Sequence, residues 1–170
     1  MVKKLVLLLL LAVPLATFAQ DKIAFIDLED IFANMPEVTE LNDIMRKEYE
    51  AKQKTLQELD NELAKFAEEA EKVKNTLSEE DLAAKYQEFQ KKQLAIETFR
   101  ENGLRELQEK NEQLMAPIRQ KVQQAIKEAG DENNLTYIME APSFLYIGRS
   151  ASDATNLVKT KLNIKITVAP

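Results

Sequence analysis

The stretch LQELDNELAKFAEEAEKVKNTL, Leu56 to Leu77, decides the fold. Its apolar or small residues Leu56, Leu59, Leu63, Phe66, Ala70, Val73 and Leu77 follow steps of 3, 4, 3, 4, 3 and 4, the seam of a coiled coil. Met45 and Tyr49 carry the pattern back towards Pro36, and proline is tolerated in the opening turn of a helix. The spacing predicts a helix over 36–76, roughly 60 Å long at about 1.5 Å per residue, too long for an ordinary core helix.

Asn75 to Ser78 interrupts the pattern. Ser78 is placed to cap a second helix, Glu79, Glu80 and Asp81 put negative charge on its first turn, and Leu77 and Leu82 stand where a hydrophobic staple would sit. The chain is expected to reverse here into an antiparallel hairpin. The returning helix is predicted over 79–129, with Leu82, Tyr86, Phe89, Ile96, Gly103, Leu107, Leu114, Ile118, Val122, Ala125 and Ala129 on one stripe. In the expected seam, Leu59, Leu63, Phe66 and Val73 meet Tyr86, Phe89, Ile96 and Leu107. Acid-then-base couples four residues apart (Glu48/Lys52, Glu50/Lys54, Glu68/Lys72, Asp81/Lys85, Glu88/Lys92, Glu101/Arg105, Glu106/Lys110) would support both helices. Pro117 predicts a bend. Gly103 leaves two readings open, a close approach of the helices or a flex point in the arm.

Both ends of the hairpin change character. KIAFIDL, Lys22 to Leu28, is short and rich in β-branched and aromatic residues and reads as a buried strand, with one helical turn expected over Glu29 to Met35. After Gly130, Leu135 to Glu140 (LTYIME) and Phe144 to Gly148 (FLYIG) read as two strands around the Ala141-Pro142 turn. Ser152 is placed to cap a last helix from Asp153 to about Leu162, and Ile164, Ile166 and Val168 suggest a terminal strand or a docked tail. The fold class is therefore mainly α with a small β body. A body of residues 20–35 and 131–170 would carry a long antiparallel coiled-coil hairpin arm of residues 36–130.

Ahead of this lies a leader. Lys3 and Lys4 precede an 11-residue apolar run from Leu5 to Leu15, and small residues stand at Thr17 and Ala19. That pattern predicts a signal peptide of residues 1–19 cut between Ala19 and Gln20, and so an exported, periplasmic protein. The run is short for a bilayer core of about 30 Å, and no later stretch approaches the ~20 apolar residues of a spanning helix, so stable membrane insertion is not expected.

Composition removes most chemistry. Loss of Lys3 and Lys4 from the 23 Lys and Arg leaves 21 against 29 Asp and Glu. An acidic chain is a poor partner for nucleic acid. With no His and no Cys, the chain lacks the usual transition-metal ligands, the commonest general base and the thiol nucleophile. The three glycines, Gly103, Gly130 and Gly148, are too far apart to cradle a phosphate. The carboxylates lie along helices rather than as a glycosidase-like pair around a pocket. No enzyme activity, cofactor or metal is expected.

A two-helix hairpin on a few short strands has little interior, so association is the expected remedy. Phe25, Ile26, Leu28, Tyr137, Ile138, Leu145 and Tyr146 are the candidate oligomerisation residues of the body. If several bodies close together, their arms project from one side and bound a water-filled cavity.

KIAFIDLEDIF at Lys22 to Phe32, the heptad hairpin, NLTYIME at Asn134 to Glu140 and Asp153-Ala154-Thr155 together resemble the Skp/OmpH-type periplasmic chaperones over nearly all of the mature chain. The resemblance implies a homotrimer whose arms hold unfolded outer-membrane proteins without ATP. One departure stands out: relatives of that type carry basic arms, whereas Glu58 to Glu88 here holds four Lys against ten Asp or Glu, which puts lipopolysaccharide binding in doubt. The competing class is a structural or adaptor coiled coil of the cell envelope, and the pattern names no client-contacting residue.

Overall fold

The structure, a computed structural model, describes residues 21–165. The expected leader and its Ala19/Gln20 cut, and the tail residues Ile166 and Val168, lie outside the described residues. Strand β1 (Ile23–Ile26) leads into the short helix α1 (Leu28–Ala33), then into the hairpin helices α2 (Pro36–Val73) and α3 (Glu79–Asn133). Strand β2 (Tyr137–Glu140), a 3-10 turn (Ala141–Ser143), strand β3 (Ser152–Asp153) and helix α4 (Thr155–Lys161) complete the chain.

The signals at the hairpin ends act as read. Pro36 is the first residue of α2, where its missing N–H costs nothing. At the reversal the Asp81 N–H donates to Ser78 Oγ at 3.2 Å, and the Ser78 hydroxyl donates to the Asp81 carboxylate at 2.6 Å. α3 runs four residues further than expected and closes on Asn134, left-handed at φ 53°, with the Leu135 N–H bonded to the Gly130 carbonyl at 3.0 Å. It continues through Pro117 as one helix of 55 residues.

The body is a three-stranded sheet of order β2-β1-β3 in which β1 pairs parallel with both neighbours. Three expectations need correction. The β1 run stops at Ile26, and Leu28 opens α1, because the Asp27 side chain accepts the Asp30 N–H and starts a helix at once. Phe144 to Gly148 is not a strand; Leu145 and Tyr146 stand out in solvent on an irregular segment. Its place beside β1 is taken by the two-residue β3, which pairs Ala24 with Ser152 and Phe25 with Asp153. Consequently Ser152 is not a cap: the Asp153 carboxylate accepts the Thr155 N–H at 2.8 Å, and the Thr155 hydroxyl accepts the Asp27 N–H at 3.0 Å, tying α4 to the end of β1.

Alternation along β1 sends Ala24 and Ile26 inward and Ile23 and Phe25 outward. The inward pair joins Ile31, Met35, Leu41, Ile118, Val122, Ala125, Ala129, Val158, Leu162 and Ile164 in one core. The hairpin is thus rooted in the body by Leu41 on one helix and the Ile118–Ala129 face of the other. One ion pair at its edge is buried on one side: Lys159, with only 6% of its side chain exposed, reaches the 44%-exposed Asp30 at 2.5 Å and fastens α4 to α1.

Candidate functional site

Beyond the core the two long helices have only each other. Three ion pairs cross between them, Glu37–Lys121, Glu48–Lys110 at 2.8 Å and Lys52–Glu106 at 2.5 Å. The residue numbers in each couple add to 158, so one antiparallel register holds along this half of the arm. These contacts correct the expected pairing: Glu48 and Lys52, and Glu106 and Lys110, look across the hairpin instead of along their own helices. Of the seven couples read from the sequence, Glu68–Lys72 at 2.6 Å is the one formed among the described residues.

All three glutamates titrate below the ordinary glutamate range. The hydrogen bond from Lys110 is the main cause at Glu48, followed by the charge of Lys110; the hydrogen bond from Lys52, then its charge, does the same at Glu106. At Glu37 the hydrogen bond from Lys121 leads and a backbone N–H adds to it, against a smaller opposing effect of burial.

The seam itself is narrow. Ile96 is 6% exposed and is, with Gly103, the arm's buried residue beyond the core. Leu59, Leu63, Phe66, Phe89 and Leu107 are half-buried, as expected for one helix face covered by one other helix. Val73, at 39% exposure, and Tyr86, at 62%, are not in the seam. In their place α3 brings Lys85 and Lys92, whose ammonium groups lie 4.8 and 5.7 Å from the centre of the Phe66 ring, and Phe99, with Lys52 at 5.9 Å. The long apolar stems of lysine cover seam surface while their charges reach water or an aromatic face. Gly103 is buried in the seam, but a methyl group there would make only ordinary contact with Cδ of the Lys52 stem, at 3.4 Å, so the helices do not approach closely enough to demand glycine.

Because the seam is narrow, apolar side chains remain in the open. One groove at mid-arm runs between Tyr49, Leu56, Phe99, Gly103, Leu104 and Leu107. A second, near the turn, is lined chiefly by Phe66, Ala67, Ala70, Leu82, Tyr86 and Phe89. Helical phase puts Tyr86 and Leu104, eighteen residues or five turns apart, on the same flank of α3. Both grooves therefore open along one side of the arm.

The body has its own open surface. Ile26 and Ile138 are taken up by the chain's own core, Ile138 packing against Gly130, and Leu28 packs on that core as well. All three serve the chain's own core, Ile26 buried and Leu28 and Ile138 half-buried. The opposite face of the sheet carries Ile23, Phe25, Tyr137 and Met139, and the exposed Leu145 and Tyr146 follow β2 closely in sequence. The sequence pattern could not sort inward from outward here, since both sets are apolar; the strand alternation does.

Residues 22–162 match the family described as Outer membrane protein (OmpH-like). The Chaperone protein Skp of Pectobacterium atrosepticum is 22% identical over 158 residues, covering 89% of this chain and 92% of that protein. Among solved structures, a Caulobacter crescentus CB15 protein assigned as an OmpH-like outer membrane chaperone superposes with a TM-score of 0.74 at 12% identity, covering 89% of this chain and 90% of its own. That last likeness is one of fold: long paired helices on a small sheet. With the family pattern running from the first strand to the end of α4, the chain belongs to the OmpH-like family.

Proposed function

We propose that this protein is an ATP-independent holdase of the periplasm that encloses unfolded outer-membrane β-barrel chains between the arms of a homotrimer. The observation that carries the reading is the arm. Two helices of 38 and 55 residues share a half-buried seam, and apolar residues of both line open grooves along one flank. A spacer needs stiffness alone, whereas apolar flanks are suited to many weak contacts with a chain that has not yet buried its own apolar residues. The chaperone relatives support the same reading.

Assembly follows from the body. On the outer sheet face Ile23, Tyr137 and Met139 are exposed and Phe25 is half-buried, and Leu145 and Tyr146 are exposed as well, apolar surface that the isolated chain leaves uncovered. Covering it with two further copies would set three arms around one space. Export by cleavage after Ala19 would put this assembly where outer-membrane chains pass unfolded and nucleotide is not required. The acidic end of the arm speaks against lipopolysaccharide as a partner.

The test uses the mature protein, a urea-denatured β-barrel protein diluted into buffer without nucleotide, and light scattering. Suppressed aggregation at molar excess, weakened only modestly by salt, is expected because apolar contact is little screened. Undiminished aggregation would leave an adaptor coiled coil as the better reading.

A further inference from the structure

The chain's negative charge is concentrated in one place. Of its 23 Lys and Arg and 29 Asp and Glu, residues 58–88 hold 4 and 10, so the remainder of the chain holds 19 of each sign. Six excess negative charges thus sit on the end of the hairpin, around the reversal at Ser78, and without Lys3 and Lys4 the remainder of the chain carries an excess of only two.

That end also carries the groove between Phe66, Ala70, Leu82, Tyr86 and Phe89, a hollow of about 610 Å³ with Glu71, Lys74, Glu79 and Lys85 at its rim. Two of the rim charges already have partners. Lys74 is paired with Glu71, and Lys85 lies over the Phe66 ring. Farther along, Lys72 is paired with Glu68. By contrast Asp60, Glu62, Glu69, Glu79, Glu80 and Glu88 have no ion-pair partner among the described residues. Glu79 and Glu80 are accounted for by the N-terminus of α3, where negative charge is favourable. Asp60, Glu62, Glu69 and Glu88 have no such local reason.

Resting on the holdase reading, we infer that the end of the arm selects unfolded polypeptide segments in which an apolar stretch is flanked by Lys or Arg. The apolar part occupies the groove, and the flanking cations are drawn by the net negative charge of this end of the arm, whose unpaired Glu62, Glu69 and Glu88 lie around the helices from the groove itself. An acidic segment with the same apolar residues meets like charge and is held less well. Complementary charge acts here mainly as a selector, while apolar contact supplies the shared part of the affinity.

The experiment uses the full mature protein and two fluorescent, unstructured peptides with the same apolar centre, one with Lys flanks and one with Glu flanks. Fluorescence anisotropy gives both affinities at about 0.01 M and about 1 M salt, where the screening length falls from ~30 to ~3 Å. The Lys-flanked peptide is expected to bind about tenfold tighter at low salt, equivalent to about 1.4 kcal/mol, and the two to converge at high salt. Combining E62Q, E69Q and E88Q should shrink the low-salt ratio; L82S with Y86S should weaken both peptides and leave the ratio in place. Equal affinities at low salt, a preference for the Glu-flanked peptide, or a ratio unchanged by the three Gln substitutions would overturn the inference while leaving a charge-indifferent holdase standing. Failure of both peptides to bind would overturn it together with the holdase reading.

Discussion

Ile96→Ala should loosen the arm without unfolding the body. Ile96 is 6% exposed, level with Glu62 and so beside Leu63 in the register set by the cross-hairpin ion pairs. Truncation removes three carbons, and about 0.8 kcal/mol for each gives roughly 2.4 kcal/mol before any cavity is counted. A seam of two helices can close over the gap more easily than a globular core, which places the cost near the low end of the 2–5 kcal/mol range for such changes, at about 2 to 3 kcal/mol. The better helix propensity of Ala returns a few tenths and does not alter the sign. Native-state hydrogen exchange read by peptide mass spectrometry should then show α2 and α3 amides near the seam losing roughly 30- to 150-fold in protection. Leu94→Ala is the matched control, since Leu94 is 68% exposed on the same helix and should change protection by less than about 0.5 kcal/mol. If the two variants exchange alike, Ile96 is not the anchor of the arm and the seam drawn above is wrong.

Other outcomes follow from the same contacts. Asp30→Asn removes the counter-charge of Lys159 and, because the Asp30 side chain is 44% exposed, should cost about 1 kcal/mol, more than Lys159→Met, which removes the charge and keeps the stem; urea denaturation of both orders them. The carboxyls of Glu37, Glu48 and Glu106 are held below their ordinary range, so their contribution is complete above that range and is lost as the pH falls through the lowered values. Arm protection should therefore be flat between about pH 5.5 and 8, there being no His to titrate, and fall in acid; a step near neutrality would contradict this. Phe25→Asp together with Tyr137→Asp should reduce the assembly to single chains that keep their helical circular dichroism, because both side chains lie on the outer sheet face. Intact mass of the exported protein should correspond to a start at Gln20, and a species retaining Leu5 to Leu15 would refute the leader.

The hairpin was legible because its signals are local. Pro36 opens a helix and Ser78 caps one wherever they stand, and the Leu56–Leu77 spacing fixes a helical face without reference to anything else. What needed the third dimension was register. Glu48, Lys52, Glu106 and Lys110 satisfy the four-residue rule and the cross-hairpin geometry equally well on paper, and only the facing helix decides between them. For the same reason Tyr86 was placed in a seam that Lys85, Lys92 and Phe99 occupy: a lysine stem is apolar surface that residue type conceals. In the body, the apolar run at Phe144 to Gly148 looked like a strand because an uncovered surface and a buried strand draw on the same residues. The strand that does flank β1, Ser152–Asp153, is too short and polar to leave a periodic trace.

Sedimentation of the mature protein with a urea-diluted, labelled outer-membrane barrel protein, in buffer without nucleotide, bears most directly on the holdase reading. The expected result is a single soluble species containing three copies of this chain and one unfolded client. A client that pellets alone, beside a protein whose sedimentation is unchanged by its presence, would contradict it.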